Sequence, residues 1–144
     1  MTSPPLFPKP LWLLLGLYFL ASLAHFAHNA EFIAFYPNMP HWLTREKVYL
    51  AWLAVSSVGA AAVLLGRLGL PVLGTLLLAA YGALGLDGLG HYTLALCAEH
   101  TFATNFTIWF EVASGLALLF ASSILVTRRI IGDNRRGQSP RPAA

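Results

Sequence analysis

Residues 11–34 read LWLLLGLYFLASLAHFAHNAEFIA. Through Ala24 the stretch is Leu-rich and uncharged; from His25 onward it carries His25, His28, Asn29 and Glu31. An apolar run of this length crosses ~30 Å of hydrocarbon as a helix of roughly 20 residues. It must be helical, because a lone strand in lipid leaves its backbone groups unpaired. The same reading holds for residues 47–66, 71–94 and 102–127. Four spans make one all-α integral membrane domain over 11–127, an up-down-up-down four-helix bundle with no length left for a second domain. Composition agrees: of 144 residues, 57% are hydrophobic and 10% charged, too apolar for a water-soluble domain.

Outside the bundle, residues 1–10 form a lead-in with Pro4, Pro5, Pro8 and Pro10. This proline-rich start with the single positive charge of Lys9 leads us to read the first helix as retained, not as a cleaved signal peptide. Residues 128–144 read as a basic, disordered cytoplasmic tail.

Basic residues set the orientation. Lys9, Arg67, Arg128, Arg129, Arg135, Arg136 and Arg141 fall on one side of the four-span arrangement, Arg45 and Lys47 on the other. Lys and Arg are retained in the cytoplasm. Both termini are therefore expected there, with the loops 34–46 and 95–101 facing the periplasm of a bacterial inner membrane. The net charge of +3 is a topology signal beside anionic lipid, and nucleic acid is not an expected partner. A single cysteine, Cys97, excludes an intramolecular disulfide. There is no glycine-rich phosphate loop.

All five histidines (His25, His28, His41, His91, His100) and most acids then lie toward the outer side. At ~1.5 Å of rise per residue, His25 and Glu111 both lie roughly 13 Å below the outer helix ends and Asp87 roughly 10 Å below. His25, His28 and Asn29 share one helix face, Asp87 and His91 are spaced i, i+4, and His100, Thr104, Thr107 and Glu111 line up if the last helix begins early. Ionisable groups in hydrocarbon are costly and are held there by a partner, a proton or a metal.

Imidazoles with one or two carboxylates are common ligands for Cu, Zn and Fe, and bundle cores host such sites. The expected ligands are His25, His28, His91 and Glu111, followed by Asp87 and His100. Asn29, Glu31, Tyr92, Thr104, Asn105 and Thr107 are the expected supporting partners. A haem b held by His28 and His91 ranks lower, since it has no use for neighbouring carboxylates. His41, Glu46 and Glu99 read as solvated surface groups.

Asp87-Gly-Leu-Gly-His91 followed by His100 resembles the Asp-x-x-x-His…His copper motif in a membrane subunit of the particulate methane and ammonia monooxygenases. The resemblance is confined to residues 87–100, and the second spacing is shorter here. It implies copper among the metals.

The leading expectation is thus a small membrane metalloprotein, an oxidoreductase or its accessory subunit, acting on a lipid-soluble substrate. Two others stand beside it. One is a metal-free acid/base enzyme of isomerase type, with Glu111 and Asp87 as catalytic groups. The other is a non-catalytic subunit that docks on a membrane partner or a second copy of itself.

Overall fold

A computed structural model describes residues 6–137. Helix α1 spans Lys9–Glu31, α2 Arg45–Arg67, α3 Pro71–Leu84, α4 His91–Leu94 and α5 Phe102–Gly137. The described chain is all-helical, with four segments long and apolar enough to cross a membrane: Lys9–Glu31, Arg45–Arg67, Pro71–Leu94 and Phe102–Ile131. This is the character of an integral membrane protein. Helix α1 packs on α2 and α5, and α3 packs on the same two helices, so the four long helices close a ring in the order α1, α2, α3, α5.

The helix boundaries follow local chemistry. Pro8 precedes α1 and Pro71 opens α3, positions where proline's missing N–H costs nothing. Thr44 caps α2, its hydroxyl accepting from the Lys47 amide at 3.4 Å, as its place before Glu46 suggests. Thr101 caps α5 by accepting from the Thr104 amide at 3.1 Å. The turn between α2 and α3 is closed by Gly69 in the left-handed region, with φ at +85°.

Without a hydrophobic driving force between helices in lipid, close packing decides association. A Cβ at Gly74 would stand 2.6 Å from the Ala62 carbonyl, and one at Gly82 2.7 Å from the Gly115 carbonyl. Glycine therefore lets α3 lie directly against both α2 and α5. Around these contacts sits the apolar core of Phe7, Leu11, Leu78 and Leu118, with the Tyr18 and Tyr81 rings edge to face at 4.6 Å. At the same end Arg129 donates to the Pro71 carbonyl at 2.6 Å, the Thr75 hydroxyl at 2.9 Å and the Leu6 carbonyl at 2.9 Å. One guanidinium thus ties α5 to the start of α3 and to the segment before α1.

Two expectations change. The third span is not one α-helix over 71–94: it tightens at Gly85–Gly90 into a 3₁₀ stretch before α4. Gly85, Gly88 and Gly90 hold an α-helix weakly; Gly85 is pressed against the Tyr18 side chain of α1 and the α5 backbone, and Gly88 against Glu111 and Ile108 of α5. The last helix does not end at 127 but runs to Gly137, so residues 128–137 are helical rather than disordered. Residues 1–5 of the lead-in and 138–144 of the tail lie outside the described residues.

Candidate functional site

The buried face of α1 carries a polar stripe: Tyr18, Ser22, His25 and Asn29. Their spacing of four, three and four residues keeps them on one side of the helix. Opposite, α5 buries Thr104 and Glu111. Glu111 is 1% exposed and His25 3%, which removes both from solvent. The His25 Nε2 faces Glu111 Oε2 at 3.7 Å. The other nitrogen, Nδ1, lies 3.5 Å from the Thr107 hydroxyl. That hydroxyl already donates to the Thr104 carbonyl at 3.0 Å, so it accepts from His25 Nδ1–H. Nε2 then turns its lone pair toward Glu111, at a separation longer than a hydrogen bond. The 3₁₀ stretch makes room for this: a Cβ at Gly88 would stand 3.3 Å from Glu111 Oε2.

From His25 the polar groups continue toward the loops. The His25 and His91 rings are edge to face at 5.2 Å, and His91 to His100 measures 6.2 Å. The Asn29 Nδ2 donates to His91 Nε2 at 3.3 Å, which makes that nitrogen an acceptor. Both His100 ring nitrogens, Glu111 Oε2, the Ser22 hydroxyl and Asn29 Oδ1 are buried without a hydrogen-bond partner. Native interiors leave few such groups unpaired. These five lie toward one end of the bundle and include the ionisable groups of His100 and Glu111.

Tyr36 closes the layer, although in the sequence it is only an aromatic residue in a Pro-rich loop. Only 4% exposed, its ring lies 5.0 Å from His91 and 6.2 Å from His100, and its hydroxyl is 2.8 Å from His28 Nδ1. Burial pushes the phenol up to about 12, so Tyr36 stays a neutral hydrogen-bonding group at neutral pH. Ser22 and Tyr18 also escaped the sequence reading.

The expected site residues divide clearly. His25, His91, His100, Glu111, Asn29, Thr104 and Thr107 come together in the layer. His28 is half-buried and turned to Tyr36. Tyr92 donates to Asn105 Oδ1 at 2.8 Å and packs on His100 at 5.7 Å, while Asn105 donates to the Cys97 carbonyl at 3.0 Å; this pair supports the His100 segment. His100 precedes α5 and is not on it, yet it is buried.

Two placements correct the expectations. Glu31 is exposed and held outside the bundle by Arg45 at 2.7 Å and the Tyr49 hydroxyl at 2.8 Å, so it supports no buried ligand. Asp87 lies in the 3₁₀ stretch, where i and i+4 no longer stack, and is exposed. It does share with Asn29 and His91 the wall of a cavity of about 320 Å³, which Phe26, Leu43 and Val48 also line. His41, Glu46 and Glu99 are exposed, as expected.

The imidazole and carboxylate donors suit a transition metal, and the unpartnered atoms of Glu111 and His100 are available to one. Convergence is missing: among the described residues no three His, Cys, Asp or Glu side chains stand together around one point. The segment resembling the copper motif is a case in point, with Asp87 exposed and His100 buried. Comparison with known protein families, curated proteins and solved structures finds no match to this chain.

Proposed function

We propose that this chain is a membrane-embedded acid/base protein, in which Glu111, His25, His91 and His100 relay protons to a lipid-soluble substrate. One observation carries the reading: Glu111 faces, at 3.7 Å, a His25 whose other nitrogen is engaged by Thr107, so a proton that leaves Glu111 for this ring goes to Nε2. The His91 ring packs edge to face on His25 at a centroid separation of 5.2 Å, and His100 on His91 at 6.2 Å, which continues the imidazole series toward the loops.

A substrate in the cavity beside His91 meets four polar side chains, Asn29, Asp87, His91 and Thr93. Asp87 and His91 are the acid/base pair there. One takes a proton from carbon and the other returns a proton to a second carbon, the electron pair moving between them, which is an isomerisation and needs no further reactant. Asn29 orients His91 by donating to Nε2, and His25 with Glu111 resets its protonation. The basic residues favour cytoplasmic termini, with the polar end toward the periplasm of a bacterial inner membrane.

A second reading, a bound Cu, Zn or Fe ion, is favoured by the unpartnered Glu111 Oε2 and His100 nitrogens. Elemental mass spectrometry separates the two, on untagged protein purified in mild detergent after metal supplementation, beside His91→Ala. The relay reading expects metal at background in both. A near-stoichiometric ion lost in His91→Ala would replace it with the metal reading.

A further inference from the structure

A second cavity lies away from the histidines. It has a volume of about 390 Å³ and is bounded by Trp12, Gly16 and Phe19 of α1, Ser56 and Ala60 of α2, and Tyr81 of α3. That volume is within the range of small-molecule sites, and its lining is apolar with a few polar groups, the usual composition of such a site. Gly59 lets Tyr81 approach α2, since a Cβ there would lie 2.7 Å from the ring.

The polar groups are the informative part. The Tyr81 hydroxyl, on a residue only 1% exposed, is buried without a hydrogen-bond partner, and so is the Ser56 hydroxyl. The Trp52 Nε1–H is a third. Trp52 lies one turn before Ser56 on the same face of α2, and its ring packs on Phe19 of the cavity wall at 5.5 Å. An unpaired donor in hydrocarbon is costly, because no water competes to satisfy it.

Depth selects the occupant. Ser56 is equally far from Arg45 and Arg67, roughly 16 Å from either end of α2 and so near the bilayer centre. Phospholipid chains offer only methylene groups at that depth, their ester oxygens lying near the headgroups. The Tyr81 and Ser56 hydroxyls line the cavity and find no acceptor in the protein for their O–H groups, so the occupant must supply it. We propose that this cavity binds a membrane-soluble carbonyl compound, an apolar body with a ketone-type oxygen seated against Tyr81 and Ser56.

The test uses 4-hexylbenzophenone, a lipophilic ketone that inserts into neighbouring C–H bonds on illumination, with the full chain in phosphatidylcholine nanodiscs and labelled peptides located by mass spectrometry. Labelling is expected to concentrate on residues 12–19 and 56–63. Gly16→Leu should lower it about tenfold by filling the cavity. That variant should fold, since nothing lies within 4 Å of a Cβ at Gly16. Tyr81→Phe and Ser56→Ala, which keep the packing, should each lower labelling about threefold, the worth of one net hydrogen bond. Decan-2-one should compete and decane should not. Labelling spread along the lipid-facing surfaces, labelling unchanged in Tyr81→Phe and Gly16→Leu, or equal competition by decane would reduce the cavity to a lipid-filled groove and overturn the proposal.

Discussion

The two ends of this bundle are built on opposite terms. At the end holding Phe7, Leu11, Leu78 and Leu118, glycines bring backbones into contact and Arg129 finds three acceptors. At the other end, Glu111, Asn29, Ser22 and His100 keep buried polar atoms without partners. The first arrangement lowers the free energy of the fold and the second raises it, since a buried unsatisfied group costs about 1–3 kcal/mol. Unpaired buried hydroxyls occur at the tight end too, on Tyr18, Tyr81 and Ser122, but among the described residues only the other end buries unpaired imidazole and carboxylate atoms, those of His100 and Glu111. The tight end holds the helices against one another, and the open end is where the ionisable side chains are buried.

The largest effect should come from spoiling the tight end. Gly82→Leu drives a side chain into the Gly115 backbone, where neither strand of the contact has a flexible atom to yield. We expect a loss of at least about 3 kcal/mol, read as aggregation or a collapsed melting temperature in detergent. Arg129→Ala should cost about 1–2 kcal/mol by releasing three acceptors, and Arg129→Lys should recover little because one ammonium does not span them. At the open end the sign reverses. His100→Leu removes two unpartnered nitrogens at similar volume, and the melting temperature should rise, a gain of about 1 kcal/mol. The smallest effect is outside both ends: Glu31→Gln breaks an exposed contact with Arg45 and should leave the melting temperature unchanged. A destabilised His100→Leu would erase the contrast between the ends.

Much of this was legible in the sequence. Four apolar runs gave four membrane-length helices, because length and polarity alone decide which segments match a bilayer. Depth counting put His25 and Glu111 at the same height, roughly 13 Å below the outer helix ends, since the helical rise is constant, and they do face each other. The count failed where the helix changed type: across Gly85–Gly90 the 3₁₀ geometry turned Asp87 outward, and glycine spacing does not announce that a helix will tighten. Glu31 was misplaced because helix α1 ends there, and the ion pair with Arg45 depends on how a loop returns. Tyr36 had no periodicity to reveal it. Ser22 and Tyr18 did, by continuing the spacing of His25 and Asn29 toward the inner end, but Ser and Tyr carry no charge to flag them.

The central claim is that Glu111 and the histidines form one coupled proton system. The direct test is nitrogen-15 NMR of histidine-labelled protein in lipid nanodiscs, comparing the chain with its Glu111→Gln variant, each resonance assigned by single His→Phe substitutions. Glu111→Gln keeps the side-chain shape and removes the exchangeable carboxyl proton. We expect the ring nitrogens of His25 to shift most, those of His91 to shift with them, and those of exposed His41 to stay fixed. If His25 and His91 were as indifferent to the substitution as His41, the buried groups would be neighbours without coupling, and the relay would be wrong.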